Sequence, residues 1–316
     1  MENSTMNPEW YDTRQIKIGD MPGDKVLITE QHIAIARTLH PILSQELERY
    51  PKIQDRTEGI NGANKIVISV YGGSGVGKSE TGALLAHFLR LEGRPGYVLS
   101  GDNYPHRRPA VNDEERLRRY RDHGLTALSL RDDFSNDWMR ELAQMKPEML
   151  DLAGATETDW LKTYREAGKA ALAGYLGSEK EINFSYLNRV IANFKAGKPG
   201  LVLKRMGRSP EDVTYEKIDA TQIQVLVIEW THGNNVRLEG VDYPIYLYSS
   251  PAETLEHRRK RGRDTNIDSP LIELALELEQ QQLLSQKNRA KWIVSKDNVM
   301  LQAADICEPD MGASHD

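Results

Sequence analysis

The stretch VYGGSGVGKSETG, residues 70–82, decides how this chain folds. Within it, Gly72 to Ser79 fit the spacing G-x-x-x-x-G-K-[ST], and the flanking residues supply the context that this spacing needs. Upstream, KIVISVY (65–71) is a short β-branched run that reads as a buried strand. Downstream, Ala83, Leu84, Leu85, Phe88 and Leu89 recur at helical spacing until Gly93 and Pro95 stop the helix. A glycine loop between a strand and a helix N-terminus turns successive backbone N–H groups inward, and the helix adds its positive end. We therefore expect Gly73, Ser74, Gly75, Val76, Gly77, Lys78, Ser79 and Glu80 to hold ATP, with Lys78 on the terminal phosphates and Ser79 on Mg2+.

Further short apolar runs follow: GYVLSGD ending at Asp102, QIQVLVIEW (222–230), PIYLYSS (244–250) and KWIVS (291–295). Strands alternating with helices predict a three-layer α/β fold with a mostly parallel sheet, whose ligands lie beyond the carboxyl ends of the strands. Residues 1–64 read as a helical N-terminal extension away from the chemical centre, with Ile33, Ile35, Leu39, Ile42, Leu43 and Leu47 on a helix. Residues 65–130 form the first part of the core and 131–200 a helical insertion or cap. Residues 201–305 complete the core and 306–316 form a tail.

The bulk properties narrow the function. A chain of 316 residues with 39% hydrophobic content is expected to bury a sizeable core, and a formal charge of −6 argues against general nucleic-acid binding. Cys307 is the single cysteine, so neither an intramolecular disulfide nor a zinc–cysteine cluster is expected. The opening MENSTMNPEWYDTRQ lacks a basic-then-apolar leader pattern, and no run approaches the roughly 18 apolar residues of a membrane span. The expectation is a cytoplasmic protein that acts on a small molecule. The stretch LIELALELEQQQLLSQ offers an apolar side to the core or to a second copy in a homodimer.

Two features point from nucleotide binding to phosphoryl transfer. No N-K-x-D element for reading guanine is present, and the apolar strand at 225–229 ends in Glu-Trp, where a motor-type ATPase would carry Asp-Glu. Asp102 lies 24 residues after Lys78, the length of one helix, a turn and a returning strand. A carboxylate there is placed to take the proton of an acceptor hydroxyl. Tyr104, Arg107 and Arg108 follow it, and Arg205 lies in LKRMGR; their guanidinium groups suit an anionic acceptor. His232, in EWTHGNN, is a candidate for the pocket wall.

GGSGVGKS, the strand-end Asp102 of SGDNY and the Arg-rich segment ETLEHRRKRGRDTN together resemble the P-loop small-molecule kinases of the uridine kinase and phosphoribulokinase group. YVLSGDNYPHR is also similar to the L-D-G-D-N-x-R segment of adenylylsulfate kinases, with Ser100 in place of the first aspartate and the arginine displaced. The resemblance implies a P-loop NTPase/kinase fold. It also implies that Glu229 binds magnesium or contacts the acceptor, with Trp230 where the family usually has glycine. By the same resemblance Arg258, Arg259, Arg261 and Arg263 belong to a lid, with Arg259 and Arg263 stabilising the transferring group. Nucleosides, sugars, sugar phosphates and adenylylsulfate all stay open as acceptors. A regulatory or assembly protein that binds ATP without an acceptor is the alternative of another class.

Overall fold

The computed structural model describes residues 16, 19–22, 27–52, 64–154, 156–207, 209–250, 253–254 and 269–306. At its centre, β1 (Ile66–Gly72) lies between β5 (Val225–Glu229) and β6 (Tyr243–Tyr248), with β2 (Gly96–Ser100) outside β5 and β7 (Trp292–Ser295) outside β6. These five strands are parallel, and the short β8 (Met300–Leu301) closes the far side antiparallel to β7. Each expected strand is present, because each is a short β-branched or aromatic run buried on both faces.

Alternation along the strands produces the three layers. Ile66, Ile68, Val70, Val225 and Val227 face one side, where α1 (Glu30–Leu47) and α2 (Lys78–Leu91) cover them with Leu39, Leu43, Leu84 and Phe88. Val67, Leu226 and Ile228 face the other side, against Leu187, Ile191 and Phe194 of α6 (Phe184–Lys195). Farther along that face, Tyr71, Tyr246 and Ile293 meet Leu283 and Leu284 of α7 (Pro270–Ser285). The apolar side of α7 is thus spent within the chain, partly on the sheet and partly on Leu172 and Leu176.

The stretch 131–200 divides between two places. Its last helix, α6, belongs to the sheet layer. Its earlier helices, α4 (Asn136–Met145) and α5 (Asp159–Tyr175), join α3 (Pro109–Ser129) in a cap with its own small core of Tyr120, Leu128, Leu142, Trp160, Leu161 and Tyr164. The helices α3 and α5 approach closely because each offers a glycine to the other's tyrosine. A Cβ on Gly124 would lie 2.5 Å from Tyr164 Cδ2, and one on Gly168 would lie 2.9 Å from the Tyr120 ring. Buried Asp151 ties the cap together, accepting from Arg121 Nε at 2.7 Å and from the Tyr164 hydroxyl at 3.1 Å.

Three short strands were absent from the sequence reading: β8 and the two of a hairpin. LKRMGR is not simply a loop: Gly200–Arg205 forms β3, paired antiparallel with β4 (Thr214–Asp219) in a hairpin beside the core. Among the described residues, no helix is long and apolar enough to cross a membrane.

Candidate active site

The phosphate-binding loop leaves β1 and enters α2 as its spacing requires. Gly75 and Gly77 have φ of 79° and 93°, backbone conformations that residues with a Cβ rarely adopt. Lys78 opens the helix, and its Nζ donates to Gly73 O at 2.8 Å across the loop. Ser79 Oγ donates to Glu229 Oε2 at 2.9 Å, which sets a hydroxyl from the first turn of α2 beside the carboxylate at the end of β5.

The parallel register explains why these groups meet. Glu229 pairs with Val70 of β1 on one side and with Ser100 of β2 on the other. The phosphate loop and Asp102 both begin within a few residues of those partners, so all three arrive at one end of the sheet. Burial pushes the Glu229 carboxyl up to about 7, and the charge of Asp102 pushes the same way; Ser100, Lys78 and Ser79 oppose the rise. A cation beside Glu229 would relieve that cost. Two hard oxygen donors next to a phosphate cradle fit Mg2+, which binds through one or two protein oxygens together with phosphates and water. Among the described residues, no cluster of three or more His, Cys, Asp or Glu forms a separate metal cage.

Near Asp102 lies a polar cluster whose residues come from distant parts of the chain. Arg116 of α3 donates from Nη2 to Glu181 Oε1 at 2.7 Å, with Glu279 Oε1 of α7 at 3.6 Å. Glu181 is 1% exposed and also accepts from Asn112 Nδ2 at 2.8 Å and from the Gly177 N–H at 2.7 Å. A short bridge delivers it: His106 N–H donates to Glu181 O at 2.8 Å and Asn183 N–H to Tyr104 O at 2.9 Å, pinning 181–183 against the loop after β2. Glu279 is pushed up to about 7 chiefly by burial; Arg116 and Lys78 pull it down, while Glu181 and Asp102 push it further up. Those influences place Glu279 within electrostatic reach of both Lys78 and Asp102. His232 is buried as well, and burial pushes its ring down to about 4 despite the nearby Glu181.

The residues expected from sequence are distributed unevenly around this centre. Asp102 is exposed, on a single 3₁₀ turn between Gly101 and Asn103. Arg107 lies beside the cluster, donating to the Tyr175 hydroxyl and to Lys180 O at 3.2 Å each. Arg108 forms the N-cap position of α3. Tyr104, by contrast, is fully buried among Leu99, Phe184 and Leu203, and belongs to the core. The Arg205 guanidinium is engaged by Asp20 at 2.6 Å, by Glu216 at 2.8 Å and by the Tyr97 hydroxyl at 2.9 Å. Trp230 meets the His232 ring edge-on, with centroids 5.2 Å apart. It packs into the core with Phe184, and Gly101 makes room for it, since a Cβ there would lie 2.0 Å from Trp230 Cγ. The lid arginines Arg258, Arg259, Arg261 and Arg263, and likewise Arg208, lie outside the described residues.

Sequence reasoning missed Arg116, Glu181 and Glu279. The signal for Arg116 was present: Asn112, Arg116, Tyr120, Gly124 and Leu128 form one stripe at spacing four, and a charged residue inside a buried stripe needs a partner. The N-terminal extension also differs from expectation, because it reaches the chemistry. The ring of His32 in α1 lies against Gly77, where a Cβ would be 2.7 Å from His32 Nε2. Its Nδ1 accepts from the Thr29 N–H at 3.2 Å, which leaves Nε2 as the donor position of the neutral ring.

No family model matches the chain. Among curated proteins it is 40% identical over 248 residues to the bifunctional alpha-galactosidase/sucrose kinase AgaSK of Mediterraneibacter gnavus; the match covers 78% of this chain and 22% of that protein. The chain therefore spans about a fifth of the length of the curated relative it matches. Solved structures with a similar course include a D-glycerate 3-kinase from Cryptococcus neoformans var. grubii, with a TM-score of 0.46 at 10% identity, covering 84% of this chain and 97% of that one. Another is a possible uridine kinase from Bacillus stearothermophilus, with a TM-score of 0.38 at 12% identity, covering 76% and 96%.

Proposed function

We propose that this protein is an ATP-dependent kinase that transfers the γ-phosphoryl group to a hydroxyl of an uncharged sugar, with sucrose the first acceptor to try. The observation that carries this reading is the meeting of two differently built groups at one sheet end: the Lys78–Ser79–Glu229 phosphate cradle and, next to Asp102, the polar cluster of Arg116, Glu181, His232 and Glu279. Around Glu279 and Glu229 the carboxyls Asp102, Glu181, Glu229 and Glu279 stand with the cations Lys78 and Arg116, and burial pushes Glu229 and Glu279 towards their neutral forms. Carboxyl groups, charged or neutral, hydrogen-bond to sugar hydroxyls, and these groups carry no surplus of cations for a phosphorylated sugar or adenylylsulfate. The relative's sucrose kinase description supports the same choice.

In the reaction, the loop amides and Lys78 hold the phosphates, and Asp102 receives the proton of the acceptor hydroxyl. The hydroxyl oxygen bonds to the γ-phosphorus as the bond to the β–γ bridging oxygen breaks, and ADP leaves. Ser79 and Glu229 would hold Mg2+, which supplies charge neutralisation on the phosphates. The side chains around Asp102 orient the acceptor in line with the phosphate chain, and positioning provides most of the catalysis in this chemistry.

The test is ADP release from Mg-ATP across a panel of sucrose, monosaccharides, nucleosides, sugar phosphates and adenylylsulfate, with Asp102→Asn alongside. We expect turnover with a neutral sugar and a loss on the order of 100-fold or more in kcat for the variant, with ATP affinity retained. Turnover with an anionic acceptor alone would overturn the sugar assignment. ATP binding with no acceptor stimulation would favour a regulatory nucleotide-binding protein.

A further inference from the structure

The segment Gly19–Asp20 is remote in sequence from the phosphate loop, yet it lies against the strand ends that bear the site's carboxylates. A Cβ on Gly19 would be 3.6 Å from Glu229 Oε1 and 3.6 Å from Val98 Cγ1, so the backbone passes directly beside Glu229. One residue later, the buried Asp20 carboxylate receives four donors. Oδ1 accepts from the Ser100 N–H at 2.7 Å and from Asn103 Nδ2 at 2.9 Å. Oδ2 accepts from the Tyr97 hydroxyl at 3.0 Å and from Arg205 Nη1 at 2.6 Å.

Ser100 and Asn103 bracket the turn that presents Asp102. This turn is short, with Tyr104 N–H donating to Gly101 O at 3.0 Å, and three residues of 3₁₀ helix have little rigidity of their own. Asp20 grips both ends of it. Asn103 is fixed further by accepting from the Met206 N–H at 2.8 Å, and Arg205 is steadied by Glu216. We propose that Asp20 is a positioning residue for phosphoryl transfer: delivered by the N-terminal segment, its carboxylate sets the turn that aims Asp102 at the acceptor hydroxyl. This inference rests on the reading of Asp102 as the base. Asp20 acts through that turn, without a role on the acceptor itself.

The chemistry of the contact makes the carboxylate specific. All four partners are arranged as donors, and an amide would turn its own N–H groups against two of them. A displacement of about 1 Å in a catalytic group is enough to lower turnover about 100-fold. The experiment compares wild-type protein with Asp20→Asn by steady-state kinetics, using Mg-ATP and the acceptor found in the panel, and by backbone hydrogen exchange over residues 100–104. We expect kcat to fall roughly 10- to 100-fold, with the KM for ATP within about twofold, and exchange at Ser100 to quicken. Lys217→Gln, at an exposed position of β4, is expected to leave kcat unchanged and so controls for disturbance of the hairpin.

If Asp20→Asn does not fold, Tyr97→Phe removes a single anchor of the same carboxylate and is expected to lower kcat about threefold, in keeping with one lost hydrogen bond. Unchanged kcat in these variants, or an equal loss of kcat and ATP affinity, overturns the proposal. Absence of turnover by the wild-type protein overturns the kinase reading instead. In that case unchanged exchange at Ser100 in Asp20→Asn would overturn the clasp, and faster exchange would uphold its hold on the turn.

Discussion

In the proposed site the phosphate-holding groups come almost entirely from one run, Gly72 to Glu80, with Glu229 added by the neighbouring strand. The groups proposed for the acceptor end, Asp102, Arg116, Glu181, His232 and Glu279, come from five separate places in the chain. The contrast follows from what each half must hold. Phosphate is recognised by backbone N–H groups and a helix terminus, which a contiguous loop supplies by its own conformation. A neutral acceptor is recognised by side chains at several angles, and these converge only after the cap has packed on the core.

The largest effect that would test this contrast belongs to the phosphate end. Lys78→Ala is expected to lower kcat on the order of 1000-fold whatever the acceptor, checked by single-turnover transfer from radiolabelled ATP. At the acceptor end, Glu181→Gln leaves the phosphate cradle intact while weakening the ion pair with Arg116 at 2.7 Å. We expect the acceptor KM to rise about tenfold with the KM for ATP unchanged, in line with the loss of one charge-assisted hydrogen bond. Equal effects of both substitutions on ATP would break the division into two halves.

The smallest expected effect is on stability and comes from His232. Its ring is held neutral in the folded chain, pushed down to about 4 from the usual 6.5, chiefly by burial. The stability contributed by this neutral ring is present above pH 6.5 and is lost as pH falls from 6.5 towards 4, where the unfolded chain takes up a proton that the folded chain refuses. His232→Gln should therefore lose less of its Tm than the wild type between pH 7.5 and pH 5, as read by thermal unfolding. A parallel fall in the two proteins would place the acid sensitivity elsewhere.

The five parallel strands were legible because each is a concentrated β-branched or aromatic run. The β3–β4 hairpin was less so. In β3, Leu201 and Leu203 are buried while Val202 is exposed, an alternation that can be read from sequence, but TYEKID of β4 is mostly exposed and its apolar residues, Tyr215 and Ile218, do not alternate. Trp230 stands where the resembling kinases usually have glycine. The structure turns its ring into the core over Gly101, a compensation between residues 129 positions apart.

The sequence by itself determined the phosphate loop, the central strands and the presence of Asp102 at a strand end, because these depend on local spacing, backbone freedom and hydrophobic periodicity. Only the tertiary structure decided what surrounds Asp102. Asp20, Arg116, Glu181 and Glu279 acquire their partners through strand register, the short bridge between the loops at 105 and 182, and the packing of α3, α5 and α7. The physical reason is distance along the chain: a backbone loop carries its geometry with it, whereas a carboxylate buried against an arginine 65 residues away is placed by the packing of everything between them.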